Sequence, residues 1–239
     1  MIQKLTYIRR IAAQILCLLT LSVPTFSYGQ TAPVVVELFS SQGCASCPPV
    51  DEFLFELAQQ RNIIALGWHV DYWDYIGWKD AFAHPAFTER QKAYAWALKQ
   101  RMIYTPEFII NGAESLKVGR RAEIAALIQK YAHLAPGADL SVRRVGASYD
   151  VMLQNAQSTG RYDVQLVSVS PFDTIEISHG ENAGRRLDYA NSVTGWKNLG
   201  RWDGLGQTTY ETGVLGPGRY AVLVQHQNNG EIVAAEWLN

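Results

Sequence analysis

The chain has 239 residues, 48% of them hydrophobic, and its 21 basic and 22 acidic residues give a formal net charge of −1. This charge balance argues against nucleic acid as a partner, because nucleic-acid-binding domains are strongly basic. The length is sufficient to bury a substantial hydrophobic core in one or two units.

The first 29 residues have the pattern of a secretory signal peptide. Lys4, Arg9 and Arg10 precede an apolar run at 11–23, and a polar stretch that ends in small residues follows. The run is short for a membrane span, which needs about 20 residues, so we expect cleavage near Gly29 and no stable membrane insertion afterwards. A retained N-terminal anchor is the alternative. Because the leader contains three basic and no acidic residues, the mature chain carries a formal charge of −4.

Cleavage changes the number of cysteines. It removes Cys17 and leaves Cys44 and Cys47, so the mature chain can form one intramolecular disulfide. Export places the protein in the periplasm or outside the cell, where the surroundings are oxidising and a disulfide persists.

The region up to residue 135 is predicted to alternate between strands and helices. Apolar runs rich in β-branched residues predict strands, and apolar residues spaced three and four apart predict helices. An aromatic loop, DYWDYIGWKD at 71–80, precedes the second helix. The predicted elements are a strand at Val34–Phe39, a helix at Pro48–Gln60, a strand at Asn62–Val70, a helix at Ala86–Met102, a strand within EFIING at 107–112, a strand at Ser115–Gly119 and a helix at Arg120–His133.

From Pro136 onward, short alternating segments separated by Gly, Asn, Asp and Pro predict about 100 residues of β-sandwich. Two polar segments, 180–193 and 196–204, are interpreted as turn-rich. The predicted strands are Leu140–Val145, Tyr149–Gln154, Tyr162–Ser170, Ile175–Ser178, Tyr220–Gln225 and Ile232–Trp237. The expected organisation is a signal peptide at 1–29, a first domain at 30–135 and a β-sandwich-like domain at 136–239.

The order of these elements resembles a thioredoxin fold over Val34 to about His133. Four motifs, ELFSSQGCASCPPVDEF, HVDYWDYIGWKDAF, YTPEFIING and HGENAGRRLDYANSV, together resemble the exported thioredoxin-like family catalogued as domain of unknown function 1223. The expected fold class is therefore an α/β thioredoxin-like domain followed by an all-β sandwich-like domain. The resemblance implies no particular substrate.

The pair Cys44-Ala-Ser-Cys47 allows three kinds of chemistry. A structural disulfide around two residues would restrict the unfolded chain very little. Structural zinc needs four ligands, and the five histidines show no matching spacing. A redox couple fits best, because a helix starting near Pro48 favours an exposed thiolate at Cys44 and leaves Cys47, one turn inside, as the resolving thiol.

Five further residues are candidates for the same site. Thioredoxin-like proteins place a cis-proline against the cysteine pair, and the resemblance assigns that place to Pro106, after Thr105; an ordinary trans proline is the alternative. The resemblance also suggests Glu37 as a buried acid that assists proton transfer, and a glutamate facing solvent is the alternative. His69 ends the second strand and Trp73 follows it, so both are expected at the sheet edge where ligands gather. For both residues, ordinary packing is the alternative to substrate contact.

The sequence predicts an exported thiol–disulfide oxidoreductase that needs no cofactor and whose partners are protein or small-molecule thiols and disulfides. The direction of electron transfer depends on a reduction potential that is not encoded in any motif. A copper-binding protein with Cys44, Cys47 and His69 as ligands is one alternative. A non-catalytic binding module, in which the β-rich half holds the partner, is the other.

Overall fold

The computed structural model describes residues 32–117 and 121–238. The predicted signal peptide at 1–29, with its cysteine, lies outside the described residues. So do residues 118–120, where one predicted strand ends and the third predicted helix begins. Among the described residues, no helix has both the length and the apolar character needed to cross a membrane.

Strands account for 43% and helices for 19% of the described residues. A short 3-10 helix at Asp74–Ile76 lies in the aromatic loop. The other elements are β1 (Val34–Ser40), α1 (Pro48–Ala58), β2 (Ile63–His69), α2 (Pro85–Ala97), β3 (Glu107–Ile110), β4 (Glu114–Lys117), α3 (Arg121–Ala132), β5 (Asp139–Val145), β6 (Ser148–Gln154), β7 (Tyr162–Glu176), β8 (Arg186–Trp202), β9 (Thr208–Glu211), β10 (Arg219–His226) and β11 (Ile232–Leu238).

Eight strands form one mixed sheet in the order β11-β10-β7-β8-β2-β1-β3-β4. β1 and β2 run parallel, and β8 pairs with β2 in the parallel sense at Ser192 and Gly67. The sheet therefore continues without a break from the first half of the chain into the second. The remaining strands, β5, β6 and β9, form a separate three-stranded sheet.

This architecture shows that the expected fold class, a thioredoxin-like α/β domain followed by an all-β sandwich-like domain, is wrong. The structure is mostly β, with one large mixed sheet and three α-helices among the described residues. The reason lies in the segments interpreted as turn-rich, which form β8, a strand of 17 residues. The unpaired edge of β2 exposes backbone groups that need partners, and β8 supplies them. The side chain of Asn191 adds a hydrogen bond of 3.0 Å to the carbonyl of Ala65.

Individual elements were predicted better than their assembly. Three helices and the first four strands are confirmed at their predicted places, although α2 ends at Ala97 instead of Met102. This earlier end follows from Lys99, whose φ of 55° is left-handed and interrupts the helix. Five of the six strands predicted after Pro136 are confirmed. The sixth, predicted at Ile175–Ser178, is not a separate strand, because Ile175 and Glu176 continue β7 and the two residues after them lie outside it. Strands β8 and β9 were not predicted.

Hydrophobic side chains pack on both faces of the eight-stranded sheet. On one face, Phe39 and Trp68 pack with α2 and with side chains of β7, β8 and β10. On the other face, Val36 and Leu38 pack against α1 and α3. Because side chains alternate along a strand, Glu37 points toward α2, away from α1 and the cysteines.

Candidate functional site

Cys44 and Cys47 form a disulfide at the N-terminus of α1. Cys47 immediately precedes the first helical residue, Pro48, which suits this position because it lacks an N–H group. The two residues between the cysteines are exposed, whereas Cys44 is only 1% exposed and Cys47 is fully buried. The expectation that Cys44 is exposed is therefore wrong for the oxidised protein.

Two segments cover Cys44. From the connection between β7 and β8, Asn182 donates hydrogen bonds from Nδ2 to the carbonyls of Gln42, at 2.8 Å, and Cys44, at 3.0 Å. From the aromatic loop, Trp73 lies against Gly43, where an added Cβ would be 3.1 Å from Cβ of Trp73. Because Cys44 is only 1% exposed, a partner can reach its sulfur only after a local movement of the surrounding chain.

Gln42 holds the aromatic loop next to the disulfide. Its Oε1 accepts hydrogen bonds from Nε1 of Trp78, at 2.8 Å, and from the backbone N–H of Ala81, at 3.2 Å. Its own backbone N–H donates to Oδ2 of Asp80 at 2.7 Å. The residues before Cys44 and the aromatic loop therefore form one hydrogen-bonded unit.

His69 and Asp80 form a buried pair beneath this unit. Nδ1 of His69 lies 2.7 Å from Oδ2 of Asp80. Burial alone would lower the pKa of His69, but the charge and hydrogen bond of Asp80, with smaller effects of Asp51 and Asp173, raise it above its usual value. Burial would raise the pKa of Asp80, but His69 and two backbone N–H groups outweigh it and lower this pKa. Both shifts in pKa favour an imidazolium facing a carboxylate.

Asp51, in the first turn of α1, is a site residue that the sequence interpretation missed. It is 5% exposed, and its Oδ2 has no hydrogen-bond partner among the described residues. Burial raises its pKa from 3.8 to about 7, against opposing effects of the His69 charge and the Ser40 hydroxyl. The sequence contained a signal for it, because Asp51 follows Cys47 by four residues, which is the spacing of side chains on one helix face.

Strand β8 supplies the wall of the site opposite α1. The ring of Tyr189 lies 5.0 Å from the ring of His69. Burial and the nearby carboxylates of Asp51 and Asp80 raise the pKa of Tyr189, and its hydroxyl has no hydrogen-bond partner among the described residues. A small cavity of about 100 Å³ lies between α1 and β8, and it is lined by Pro48, Asp51, Glu52, Arg186, Leu187 and Asp188.

The structure does not bring Glu37 to the cysteines. Glu37 is fully buried on the opposite face of β1, where its carboxylate accepts hydrogen bonds from Nε of Arg90, at 2.8 Å, and from the hydroxyl of Tyr94. The guanidinium of Arg90 lies 4.8 Å from the ring centroid of Trp68 and 5.0 Å from that of Trp196. This network joins α2 to the sheet, and it lies apart from the disulfide.

Trp73, Thr105 and Pro106 lie at the same end of the sheet as the disulfide. The Thr105-Pro106 peptide is cis, as the resemblance implied. Glu107 pairs with Phe39 at the end of β1, which places Pro106 beside the start of the cysteine loop. Nε1 of Trp73 donates a 2.7 Å hydrogen bond to Oγ1 of Thr105. Trp73 thus connects this peptide to the loop that carries Cys44.

The copper alternative requires Cys44, Cys47 and His69 as ligands. In the structure the two sulfurs are bonded to each other, and Nδ1 of His69 is engaged by Asp80. Across the described ranges, no group of three or more His, Cys, Asp or Glu side chains is arranged to hold a metal ion. The geometry therefore gives the copper alternative no support.

The sequence matches a family model described as "Protein of unknown function (DUF1223)" over residues 35–225. The chain belongs to this family. The X-ray crystal structure of a protein from Agrobacterium tumefaciens is similar, with a TM-score of 0.75 and 31% identity, covering 87% of this chain and 95% of that one. HBP35 of Porphyromonas gingivalis shares the fold, with a TM-score of 0.63 and 15% identity over 87% of this chain and 75% of that one. A search of curated proteins gave no match. The region that defines DUF1223 contains the disulfide and all the polar residues described around it.

Proposed function

We propose that this DUF1223 protein is an exported thiol–disulfide oxidoreductase that exchanges electrons with its partners through Cys44 and Cys47. The observation that supports it most is the disulfide at the N-terminus of α1. A bond that encloses two residues removes little entropy from the unfolded chain, so structural stabilisation is a weak reason for it. The unpaired N–H groups at a helix start favour a thiolate, so redox chemistry is a stronger reason.

The exchange needs only the two sulfurs and a partner. When the protein acts as an oxidant, a partner thiolate attacks Sγ of Cys44, the bond to Cys47 breaks, and Cys47 leaves as a thiolate. A second partner thiol then displaces Cys44, so the partner forms a disulfide and the protein keeps both electrons. The same steps in reverse reduce a partner disulfide, and the reduction potential decides the direction.

Other side chains in the site would position the partner. Tyr75 is 80% exposed, and its ring stacks on that of Trp73 at 6.5 Å between centroids. With Thr105, these rings form a surface beside the disulfide that suits a thiol-bearing peptide or small molecule.

Export belongs to the proposal because a disulfide persists in the periplasm or outside the cell and is reduced in the cytosol. The leader pattern at 1–29 supports it. Protein recovered from the cell envelope is expected to begin near Gln30, and an intact Met1 would contradict cleavage of the leader and favour the retained anchor.

The reduction potential of the cysteine pair tests the function. The purified protein is equilibrated in dithiothreitol buffers of graded potential, and its free thiols are alkylated and counted by mass. A transition above about −300 mV is expected, because structural disulfides lie below this value. A lower potential would identify a structural bond and contradict the proposal.

Trapping of a mixed disulfide between the protein and a partner is a second test of the proposed function. Cys47→Ser is expected to accumulate a mixed disulfide with a model disulfide partner, because the resolving thiol is missing, whereas Cys44→Ser is not. Ala45→Ser, which keeps both cysteines and changes an exposed side chain between them, is the matched control. Equal trapping by both cysteine variants would contradict the assigned roles.

A further inference from the structure

We propose that Asp51 is the proton carrier of the disulfide: its carboxyl group gives a proton to the Cys47 thiolate when the bond is reduced, and takes the proton back when the bond forms again. This inference rests on the proposed redox function and assigns the acid–base step of that chemistry to one residue.

The helical register places Asp51 next to Cys47. The backbone N–H of Asp51 donates a 3.0 Å hydrogen bond to the carbonyl of Cys47, which is the bond between residues four apart in an α-helix. Side chains with this spacing lie one above the other on the same helix face. Both residues are buried, whereas the next residue, Glu52, is exposed. The carboxyl group of Asp51 and the sulfur of Cys47 therefore share the buried side of α1.

The carboxyl group of Asp51 also has an oxygen available for the reaction. Oδ2 is buried and has no hydrogen-bond partner among the described residues, which is unusual for a buried polar atom. Burial raises the pKa of Asp51 to about 7. At neutral pH the acid and the carboxylate are therefore both populated, as a group that gives and accepts a proton requires.

Charged and titratable groups face Asp51 from each element packed around it. The charge of His69 favours the carboxylate, whereas the charges of Asp80 and Glu52 favour the acid. Among the described residues these groups are His69 on β2, Asp80 in the aromatic loop, Glu52 on α1 and Tyr189 on β8, with Arg186 and Asp188 of β8 lining the same small cavity.

A proton moves between Asp51 and Cys47 each time the disulfide opens or closes. During reduction, a partner thiolate forms a bond to Sγ of Cys44, the bond between the cysteines breaks, and Cys47 takes its electron pair and a proton from Asp51. During oxidation, the carboxylate removes the proton from Cys47, whose thiolate attacks the mixed disulfide at Cys44 and releases the partner as a thiolate.

The oxidation step can be measured directly with 5,5′-dithiobis(2-nitrobenzoic acid) added to the reduced full-length protein. Attack by Cys44 releases one thionitrobenzoate, and attack by Cys47 on the mixed disulfide releases the second in a first-order phase. In the wild type, the rate of this second phase is expected to rise with pH and level off near pH 7. In Asp51→Asn, it is expected to fall about ten-fold or more at pH 6 and to keep rising toward the ordinary thiol pKa of about 8.5.

Two variants control this measurement. Asp51→Glu keeps a carboxyl group and is expected to retain the pH profile in part. Glu56→Gln changes an exposed acid one turn further along α1 and is expected to behave as the wild type. If Asp51→Asn shows the wild-type rate and profile, the assignment to Asp51 is overturned, while the redox function stands.

The wild type provides a measurement that does not depend on the folding of any variant. The infrared difference spectrum between the oxidised and reduced protein at pH 7 is expected to contain a carboxyl C=O band, because Asp51 changes its protonation with the bond. A spectrum without such a band overturns the proposal. If the wild type releases no second thionitrobenzoate at any pH, both the redox function and the role of Asp51 are overturned.

Discussion

At the scale of single residues, the buried carboxyl group of Asp51 makes stability depend on pH. Its pKa is about 7 in the folded protein, against an ordinary value of 3.8 that applies to the unfolded chain. Well below pH 3.8 the carboxyl group is protonated in both the folded and the unfolded protein, so it has no effect on stability. Between pH 3.8 and pH 7 the folded state binds the proton more tightly than the unfolded state does, so the free energy of unfolding falls as the pH rises. Above 7 the full destabilisation is present, and it corresponds to about 4 kcal/mol for this difference in pKa.

Asp51→Asn is therefore expected to be more stable than the wild type at pH 8, by up to ~4 kcal/mol. The advantage should shrink steadily toward pH 4, because the wild-type carboxyl group is then neutral as well. Urea unfolding at pH 4, 6 and 8 measures this difference. Glu56→Gln, at an exposed position further along α1, should show no comparable trend. A difference between Asp51→Asn and the wild type that stays constant with pH would contradict the raised pKa.

A second residue-scale prediction concerns the buried pair of Arg90 and Glu37. Both side chains are fully buried, so Arg90→Met leaves an uncompensated carboxylate and should cost about 3–5 kcal/mol in the free energy of unfolding. Replacing both residues by Met should cost less than the single change. Lys92→Met removes an exposed ion pair on the same helix and should cost less than ~1 kcal/mol. If Arg90→Met lowers the free energy of unfolding by no more than Lys92→Met does, the buried pair contributes little to stability.

These residues show what the sequence could predict. Cys44 and Cys47 belong to one motif of four residues, and Thr105-Pro106 follows from a resemblance, so local information was enough. The partner of Glu37 is 53 residues away, and no local pattern connects the two. Asp51 was missed because the interpretation of α1 used only its apolar stripe. A carboxyl group on the buried face of a helix breaks the rule that this face is apolar. Such an exception indicates a functional residue.

At the scale of elements, the connection between β7 and β8 closes over the cysteine loop. Asn182 is 2% exposed and reaches two carbonyls of that loop. The connection is itself folded by backbone hydrogen bonds, from Gly184 to the carbonyl of Ile177 at 2.7 Å and from Ile177 to that of Arg185 at 2.9 Å. It is therefore an ordered cover over the cysteine loop, fastened to that loop by the side chain of Asn182.

Asn182→Ala is expected to make the disulfide easier to reduce. Loss of two hydrogen bonds worth ~1 kcal/mol each should raise the population of the open segment, and with it the rate of reduction by dithiothreitol, about 30-fold. Glu181→Ala, at the exposed neighbouring position, should leave the rate unchanged. Alkylation of the released thiols over time gives both rates. Equal rates for the two variants would show that Asn182 does not control access.

Elements were predictable where one local signal was consistent along the segment. α1 combines two prolines at its start with apolar residues three and four apart, and both signals indicate a helix. β8 was missed because Gly195, Asn198 and Gly200 favour turns. Its strand conformation depends instead on β7, with which it pairs from Trp202 to Arg186. Long-range pairing overrides local preference more easily in strands than in helices.

At the scale of the whole molecule, one hydrophobic core draws on both halves of the chain. Trp68 on β2 packs in the same cluster as Val167, Val193 and Leu223, which all come after residue 136. The guanidinium of Arg90 also joins the two halves of the chain, because its Nη1 donates a 3.3 Å hydrogen bond to Oε1 of Gln165 on β7. Removing the second half would expose these apolar side chains to water and leave the guanidinium without this contact.

The full-length protein is therefore expected to unfold in a single cooperative transition, and a fragment of residues 30–135 is expected not to fold. The fragment retains the disulfide, but it loses the pairing of β2 with β8 and the side chains that bury one face of the sheet. Calorimetry should show one peak for the full chain whose calorimetric and van't Hoff enthalpies agree. The fragment should show no such peak and little dispersion in its amide proton NMR spectrum. A cooperative transition in the fragment would mean that the first half is an independent domain, despite the sheet and core it shares with the second.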